Sequence, residues 1–173
     1  MSAVYEVVFS PVGEILLAEI ECELAAVLFL SGDRASDAIE RLSKYYPSFK
    51  FVAGQVSNAK NIARLLNGEN VVDKIPVSCH VYENCSQFRR AVFAELRRIP
   101  RGLTRTYAEI ASLLGRPTAY RAVAQACASN VLCIVIPCHR VVASDGTLGG
   151  FGGGLAVKRQ LLKLEGALDG MKN

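Results

Sequence analysis

The sequence has little with which to hold a metal. It contains two histidines, His80 and His139, and no two of its six cysteines form a Cys-x-x-Cys pair. Structural zinc sites draw on close clusters of these two residue types, so no metal centre is expected. No charged-then-apolar stretch with a small-residue cleavage site opens these residues, so no secretory leader is expected. No apolar run approaches the roughly 18 to 20 residues of a membrane span. A cytoplasmic location without membrane contact is the expectation. Disulfide frameworks belong mainly to small secreted chains, so Cys22, Cys79, Cys85, Cys127, Cys133 and Cys138 are read as reduced thiols, with Cys79/Cys85 and Cys127/Cys133 the pairs to watch. The glycine run near residue 150 is followed by no Gly-Lys-Ser/Thr, which excludes a P-loop phosphate cradle.

What is present divides into two unlike halves. Residues 1–85 hold 7 Lys and Arg against 11 Asp and Glu, a net of −4, while residues 86–173 hold 13 against 5, a net of +8. A strongly basic half fits a polyanionic partner, because phosphate neutralisation drives non-specific nucleic-acid binding. A solvated basic face without a partner fits the charge equally well. The 173 residues suffice for one full domain or two small ones. The expected division is 1–78 and 86–173, joined by the aperiodic stretch from Gly68 to Cys85, which carries Pro76. His80 lies there with no neighbouring carboxylate evident, and reads as a surface or satisfied histidine.

The first half reads as a small α/β unit. Apolar runs over Val4–Phe9, Ile15–Ile20 and Leu24–Leu30, separated by turn chemistry at 10–13, predict a three-stranded antiparallel meander. Asp33 is placed to cap a helix ending before Pro47, with Ala38, Ile39 and Leu42 on its buried face. A short strand near 49–52 and a short helix over 59–66 follow. The second half opens with Ser86 as an N-cap. Phe88, Val92, Leu96 and Ile99 then form one stripe of an amphipathic helix, with Arg89, Arg90, Arg97 and Arg98 largely off it. Thr106-x-x-Glu109 is a capping box. It starts a helix that stops at Gly115, and Thr118 is placed to cap the next, so the two predict a helix-turn-helix. That second helix is lined with alanine, which suits close approach to a DNA groove or simply tight helix packing. A last helix over 155–164 should turn Val157, Leu161 and Leu164 inward and Lys158, Arg159 and Lys163 outward.

The chemistry converges on Ile134-Val135-Ile136-Pro137-Cys138-His139-Arg140-Val141-Val142. A buried-type run delivers a cysteine and a histidine after a proline, at the rigid end of what reads as an extended segment. Cysteine attacks as the thiolate, and a nearby histidine or cation lowers its pKa. A core cysteine in a strand is the other reading of these residues. Glu165, beside the last helix's apolar stripe, is either a surface residue or the acceptor that orients His139.

From Pro137 onward, Pro-Cys-His-Arg-Val-Val resembles the acceptor motif of the methylated-DNA-protein-cysteine methyltransferases, the O6-alkylguanine-DNA alkyltransferases. The likeness runs from about Ser86 to Gly166. It takes in Thr-Tyr before the first helix of the pair, Arg-Ala-Val in the second, Ser-Asn before the buried run, and Gly-Gly-Leu-Ala-Val-Lys with Glu-Gly at the end. It implies an α+β two-domain protein, with a ribonuclease-H-like N-terminal domain built on an antiparallel sheet and a winged-helix-like C-terminal domain that meets DNA through the minor groove. It implies repair of double-stranded DNA by a single-turnover transfer from O6 of a flipped guanine, with O4 of thymine as a further candidate. By that likeness Cys138 is the acceptor, His139 takes its proton through a water, Glu165 orients His139, Asn130 shapes the turn and Tyr107 protonates the purine. Arg121 fills the vacated stack, Ala122 lies on the helix facing DNA, and Thr106, Arg116 and Ser144 contact the phosphodiester backbone. Phe151, Gly152, Gly153 and Val141 line the base pocket. No cofactor is implied, and the protein is expected to be a monomer. Family members often carry prolines after the asparagine and Tyr-Ser in the glycine loop, where this chain has Val131, Cys133, Phe151 and Gly152. Cys127 and Cys133 read as structural or redox-linked. Two alternatives stand beside transfer: a lesion-recognition module, which lacks the acceptor cysteine in its known form, and a thiol hydrolase.

Overall fold

The computed structural model describes residues 1–83 and 85–168. The chain forms two compact units, Met1–Asn84 and Cys85–Asn173. Asn84 and the last five residues of the expected second domain lie outside the described residues.

In the first unit the three apolar runs become β1 (Ser2–Ser10), β2 (Gly13–Ile20) and β3 (Glu23–Phe29), an antiparallel meander. Gly13 takes φ 106 at the first hairpin, where the Ser10 hydroxyl donates to the Gly13 oxygen at 2.7 Å. The sheet is mixed and not purely antiparallel. β4 (Lys50–Ala53) lies parallel to β1, giving the order β3-β2-β1-β4. A helical connection, α1 (Ala35–Tyr45), precedes β4 and lets the chain return in the direction of β1. The N-cap of α1 is Arg34; Asp33, expected there, pairs instead with Arg41 at 2.9 Å. Ala38 and Leu42 of α1 join Leu16, Ala18, Ile20 and Ala26 of the sheet in one core with Tyr46 and Phe51.

Glu19 is buried in β2 and is saturated. It accepts from the Ser57 and Asn58 backbone amides, the Ser57 hydroxyl and the Asn58 side chain at 2.6 to 3.0 Å, just ahead of α2 (Ala59–Leu66). A carboxylate tolerates burial only with such partners. The stretch expected to be a linker is ordered against β3. The Leu24 amide donates to Pro76 at 2.8 Å and the Ser78 amide to Leu24 at 3.0 Å, and Val71, Ile75 and Val81 are buried. Apolar spacing too irregular to show periodicity still supplied the contacts. A short helix, α3 (His80–Glu83), follows, and His80 does have a carboxylate: its Nδ1 lies 2.6 Å from Glu83.

The second unit begins with α4 (Gln87–Arg97), whose first turn is capped by Ser86 accepting from the Arg89 amide at 3.2 Å. Val92, Leu96 and Ile99 are buried. A two-residue strand, β5 (Arg105–Thr106), leads into α5 (Tyr107–Leu113) through the expected capping box, with Thr106 Oγ1 accepting from the Glu109 amide at 3.1 Å and Glu109 accepting from the Thr106 amide at 2.6 Å. α6 (Tyr120–Ala128) begins two residues after Thr118, with Ala119 at its N-cap position. β6 (Val141–Val142) runs parallel to β5, and α7 (Leu155–Leu164) closes the unit.

Candidate active site

The apolar run before the acceptor motif is not a strand. Residues 133–135 form a turn between bends at 131 and 136, and Ile134 takes φ 74. Positive φ is unusual for a β-branched residue and marks a backbone held by its surroundings. Cys138–Arg140 is a single turn of 3-10 helix. The expectation of opposed side chains along an extended segment therefore gives way to a compact knot organised by Asn130.

Asn130 is buried, and its side chain ties together three groups of the turn, beside the backbone bonds from Val135 to Cys133 and from Ile136 to Leu132. Its Oδ1 accepts from the Leu132 amide at 2.9 Å, while Nδ2 donates to the Ile136 oxygen at 2.8 Å and to Cys138 Sγ at 3.1 Å. Cys138 is 3% exposed. Its sulfur is held below the ordinary thiol pKa. Hydrogen bonding from Cys133 is the main cause and outweighs burial, with help from Asn130 and from the charge of Lys158.

His139 is wholly buried, and Nε2 lies 3.0 Å from Glu165 Oε1. Burial lowers its pKa and the Glu165 carboxylate partly restores it, so the ring is neutral near pH 7. With Nε2–H donated to Glu165, the basic lone pair is on Nδ1, which has no hydrogen-bond partner among the described residues. Burial would raise the Glu165 carboxyl, but hydrogen bonds from His139 and Arg140 hold it at about 2. Arg140 binds both carboxylate oxygens at 2.8 and 2.9 Å and donates to the Ile99 oxygen at 2.6 Å. Arg101 stands 3.7 Å away.

A cavity of about 270 Å³ opens beside the thiol, lined by Tyr107, Ala124, Cys127, Ala128, Cys138, Gly150, Phe151 and Gly152. Three of these, Ala124, Cys127 and Ala128, are small residues of α6, so the alanine-rich face serves the cavity. Tyr107 donates to the Gly150 oxygen at 3.3 Å, and burial, followed by the Cys127 and Cys138 sulfurs, pushes its pKa up to about 12. Gly149, at φ 67, leaves no room for a side chain: a Cβ there would stand 2.9 Å from the Tyr107 ring. Phe151 and Gly152 line the cavity, whereas Gly153 and Val141 do not; Val141 is buried, and its carbonyl faces Lys158.

Lys158 is the residue beside the thiol that helical spacing misplaced. It turns inward and is fully buried, while Leu164, expected inward, is 45% exposed. Its ammonium donates to the oxygens of Val141, Leu148 and Gly150, spanning β6, the turn after it and the glycine loop. It also lies 5.9 Å from the centre of the Tyr107 ring. Burial pulls its pKa down to about 8, against the thiols of Cys138 and Cys127, which raise it. Three unmet carbonyls around a glycine-rich loop are the signal that locates it, and helical periodicity does not carry that signal. Arg140 was visible in the motif without a partner.

The residues expected at DNA lie outside the cavity. Arg121 is exposed at the start of α6, with its guanidinium 5.8 Å from the Tyr120 ring, and Arg116 lies 5.6 Å from the Phe88 ring. Ala122, next to Arg121, is half-buried. A second, open cleft is lined by Thr106, Val142, Ala143 and Ser144 with Gly102, Leu103 and Thr104.

A buried, acidified thiol beside a cavity, backed by an Asn, a neutral His and a Glu, and preceded by a helix-turn-helix in a basic unit, defines a cysteine-acceptor or cysteine-nucleophile protein of nucleic-acid type. Residues 87–167 match the family described as 6-O-methylguanine DNA methyltransferase, DNA binding domain. The methylated-DNA–protein-cysteine methyltransferase of Methanosarcina barkeri is 38% identical over 161 residues, covering 93% of this chain and 96% of that one. The bifunctional transcriptional activator/DNA repair enzyme Ada of Escherichia coli is 37% identical over 88% of this chain, which spans 42% of that protein's length. Among solved structures, the Mycobacterium tuberculosis O6-methylguanine methyltransferase superposes with a TM-score of 0.75 at 31% identity, over 95% of this chain and 93% of that one. The same organism's OGT in complex with DNA gives 0.74 at 30% identity, over 96% and 93%. The chain belongs to the methylated-DNA–protein-cysteine methyltransferase family.

Proposed function

We propose that the protein repairs double-stranded DNA by moving an alkyl group from O6 of guanine onto Cys138. The observation that carries this reading is a cavity-lining thiol held by the Asn130 side chain, with a buried His139–Glu165 pair directly after it in the chain. The Cys138 sulfur attacks the alkyl carbon in line with the departing O6. The S–C bond forms as the C–O bond breaks, and the pair of electrons goes to the purine.

Protons follow the chemistry of the side chains. His139 Nδ1, the free basic nitrogen, takes the Cys138 proton through a bridging water, and Glu165 stabilises the imidazolium that results. Tyr107, protonated across the physiological range, gives its proton to the purine as it leaves and takes one back from solvent, while the His139 imidazolium releases its own. The thioether does not hydrolyse, so each molecule acts once and needs no cofactor. Thr106, Arg116 and Ser144 hold phosphates, and Arg121, from the face of α6 that also carries Ala122, occupies the space left by the flipped base. Phe151, Gly152, Gly153 and Val141 shape the surroundings of the base.

The meander with its parallel fourth strand supports a ribonuclease-H-like first domain, and the helix pair followed by the small β5-β6 ladder supports a winged-helix-like second one. The acceptor, its histidine and its glutamate all lie within residues 130–165 of one chain, in line with action as a monomer, and no helix among the described residues is long and apolar enough to cross a membrane. Titration with an O6-methylguanine duplex tests the reading. Lesion loss should stop at one equivalent per protein, and Cys138→Ala should bind without loss. Loss that continues past one equivalent would point to hydrolysis.

A further inference from the structure

The turn from Asn130 to Cys138 brings a second thiol to the acceptor. The left-handed backbone at Ile134 folds the apolar run back on itself, and both sulfurs then hang on Asn130. The Asn130 side chain donates to Cys138 Sγ at 3.1 Å, and Cys133 Sγ donates to the Asn130 backbone oxygen at 3.8 Å. Cys133 is 5% exposed, and its thiol and that of Cys138 are both bonded to the one residue, Asn130. The transfer chemistry leaves this thiol without a task.

We propose that Cys133 is a positioning residue for alkyl transfer: its S–H turns from the Asn130 carbonyl to the Cys138 sulfur as Cys138 ionises, and so fixes the thiolate on the acceptor. This rests on the reading of Cys138 as the alkyl acceptor. No bond forms at Cys133; it keeps its proton, while that of Cys138 leaves toward His139.

The two sulfurs are unequal for a reason visible in their neighbours. Cys138 faces an amide N–H and the field of the Lys158 ammonium, both of which favour a negative charge. Cys133 faces a carbonyl oxygen, which favours S–H. The acidities move accordingly: hydrogen bonding to Cys138 and then burial push Cys133 up, while the hydrogen bond from Cys133 draws Cys138 down. Two thiols with an alanine or a proline in place of one would lose that division.

The test compares the full-length protein with Cys133→Ala and Cys133→Ser. The ionisation midpoint of Cys138 is read from the pH dependence of its alkylation by iodoacetamide, followed by the mass of its peptide. Single-turnover transfer from an O6-methylguanine duplex is measured over the same pH range. Cys133→Ala should raise the midpoint by about one unit. A more basic sulfur is also the better nucleophile, with a Brønsted coefficient of about 0.4 to 0.5. Transfer should therefore be about three- to fourfold slower below both midpoints and about threefold faster above both, so that the two profiles cross. Cys133→Ser keeps a donor and should restore the midpoint. If Cys133→Ala does not fold, Cys133→Val carries the same comparison. An unchanged midpoint, or transfer slowed equally at every pH, overturns the proposal. A midpoint that depends on Cys133 in a protein that moves no methyl would instead overturn the reading of Cys138 as acceptor.

Discussion

Glu165 carries the heaviest electrostatic duty of any residue at the site. Its carboxylate, 5% exposed, meets His139 and both faces of the Arg140 fork. Removing one partner of a buried pair leaves the others uncompensated, so Glu165→Ala should cost about 3 to 5 kcal/mol of unfolding free energy, measurable by urea denaturation. The pH dependence has a definite sign. The folded-state pKa of about 2 lies below the ordinary carboxylate value, so this stabilisation is complete above about 4.5. It should be lost as pH falls from there toward 2. His139 adds to the same trend, because its depressed pKa means that folding opposes its protonation below about 6.5. Stability that was flat between pH 6.5 and 3 would contradict both assignments.

At the scale of elements, the glycine loop is held by what it lacks and by one buried cation. Gly149→Ala must displace the Tyr107 ring and also force a left-handed alanine. It should destabilise by about 1 kcal/mol or more and slow transfer while leaving the affinity for undamaged duplex nearly unchanged. Lys158→Met strands three carbonyls and should cost about 1 to 3 kcal/mol, with transfer slowed further by the loss of positive charge behind Cys138. Comparing thermal unfolding with single-turnover rates separates the two effects.

These elements also show how far the sequence could be read. The capping box at Thr106, the Ser86 cap and the three strand runs were legible because each rests on local chemistry within a few residues. The parallel pairing of β4 was not, since strand direction depends on the long connection through α1. Lys158 was misread because helical spacing assigns a face from polarity, and a buried ammonium satisfied by distant carbonyls inverts that rule. Likewise Val131 to Ile136 looked like a strand by composition, whereas Asn130 draws the run into turns through bonds made up to eight residues away. The pairing of Glu165 with His139 was readable as one of two options, and geometry selected it.

For the whole molecule, the charge division is the feature with the widest reach. A net of +8 in residues 86–173 against −4 in 1–85 confines phosphate attraction to the half that carries the thiol. Duplex binding should weaken linearly in log–log terms as salt rises. Arg116→Ala should reduce that slope by about one and lower affinity for all sequences alike. Arg121→Ala should act on a different step, slowing transfer from duplex much more than from the free O6-methylguanine base, since only the duplex has a stack to fill. Equal slowing on both substrates would remove Arg121 from base flipping.

The central claim is that one sulfur accepts one alkyl group. The direct measurement is to incubate the protein with an O6-methylguanine duplex and determine the mass of every cysteine-containing peptide. The account predicts a single added methyl on the peptide containing Cys138, none on those containing Cys127 or Cys133, and lesion loss equal to the protein modified. Lesion loss with no methyl on Cys138, or a methyl carried by another cysteine, would contradict it.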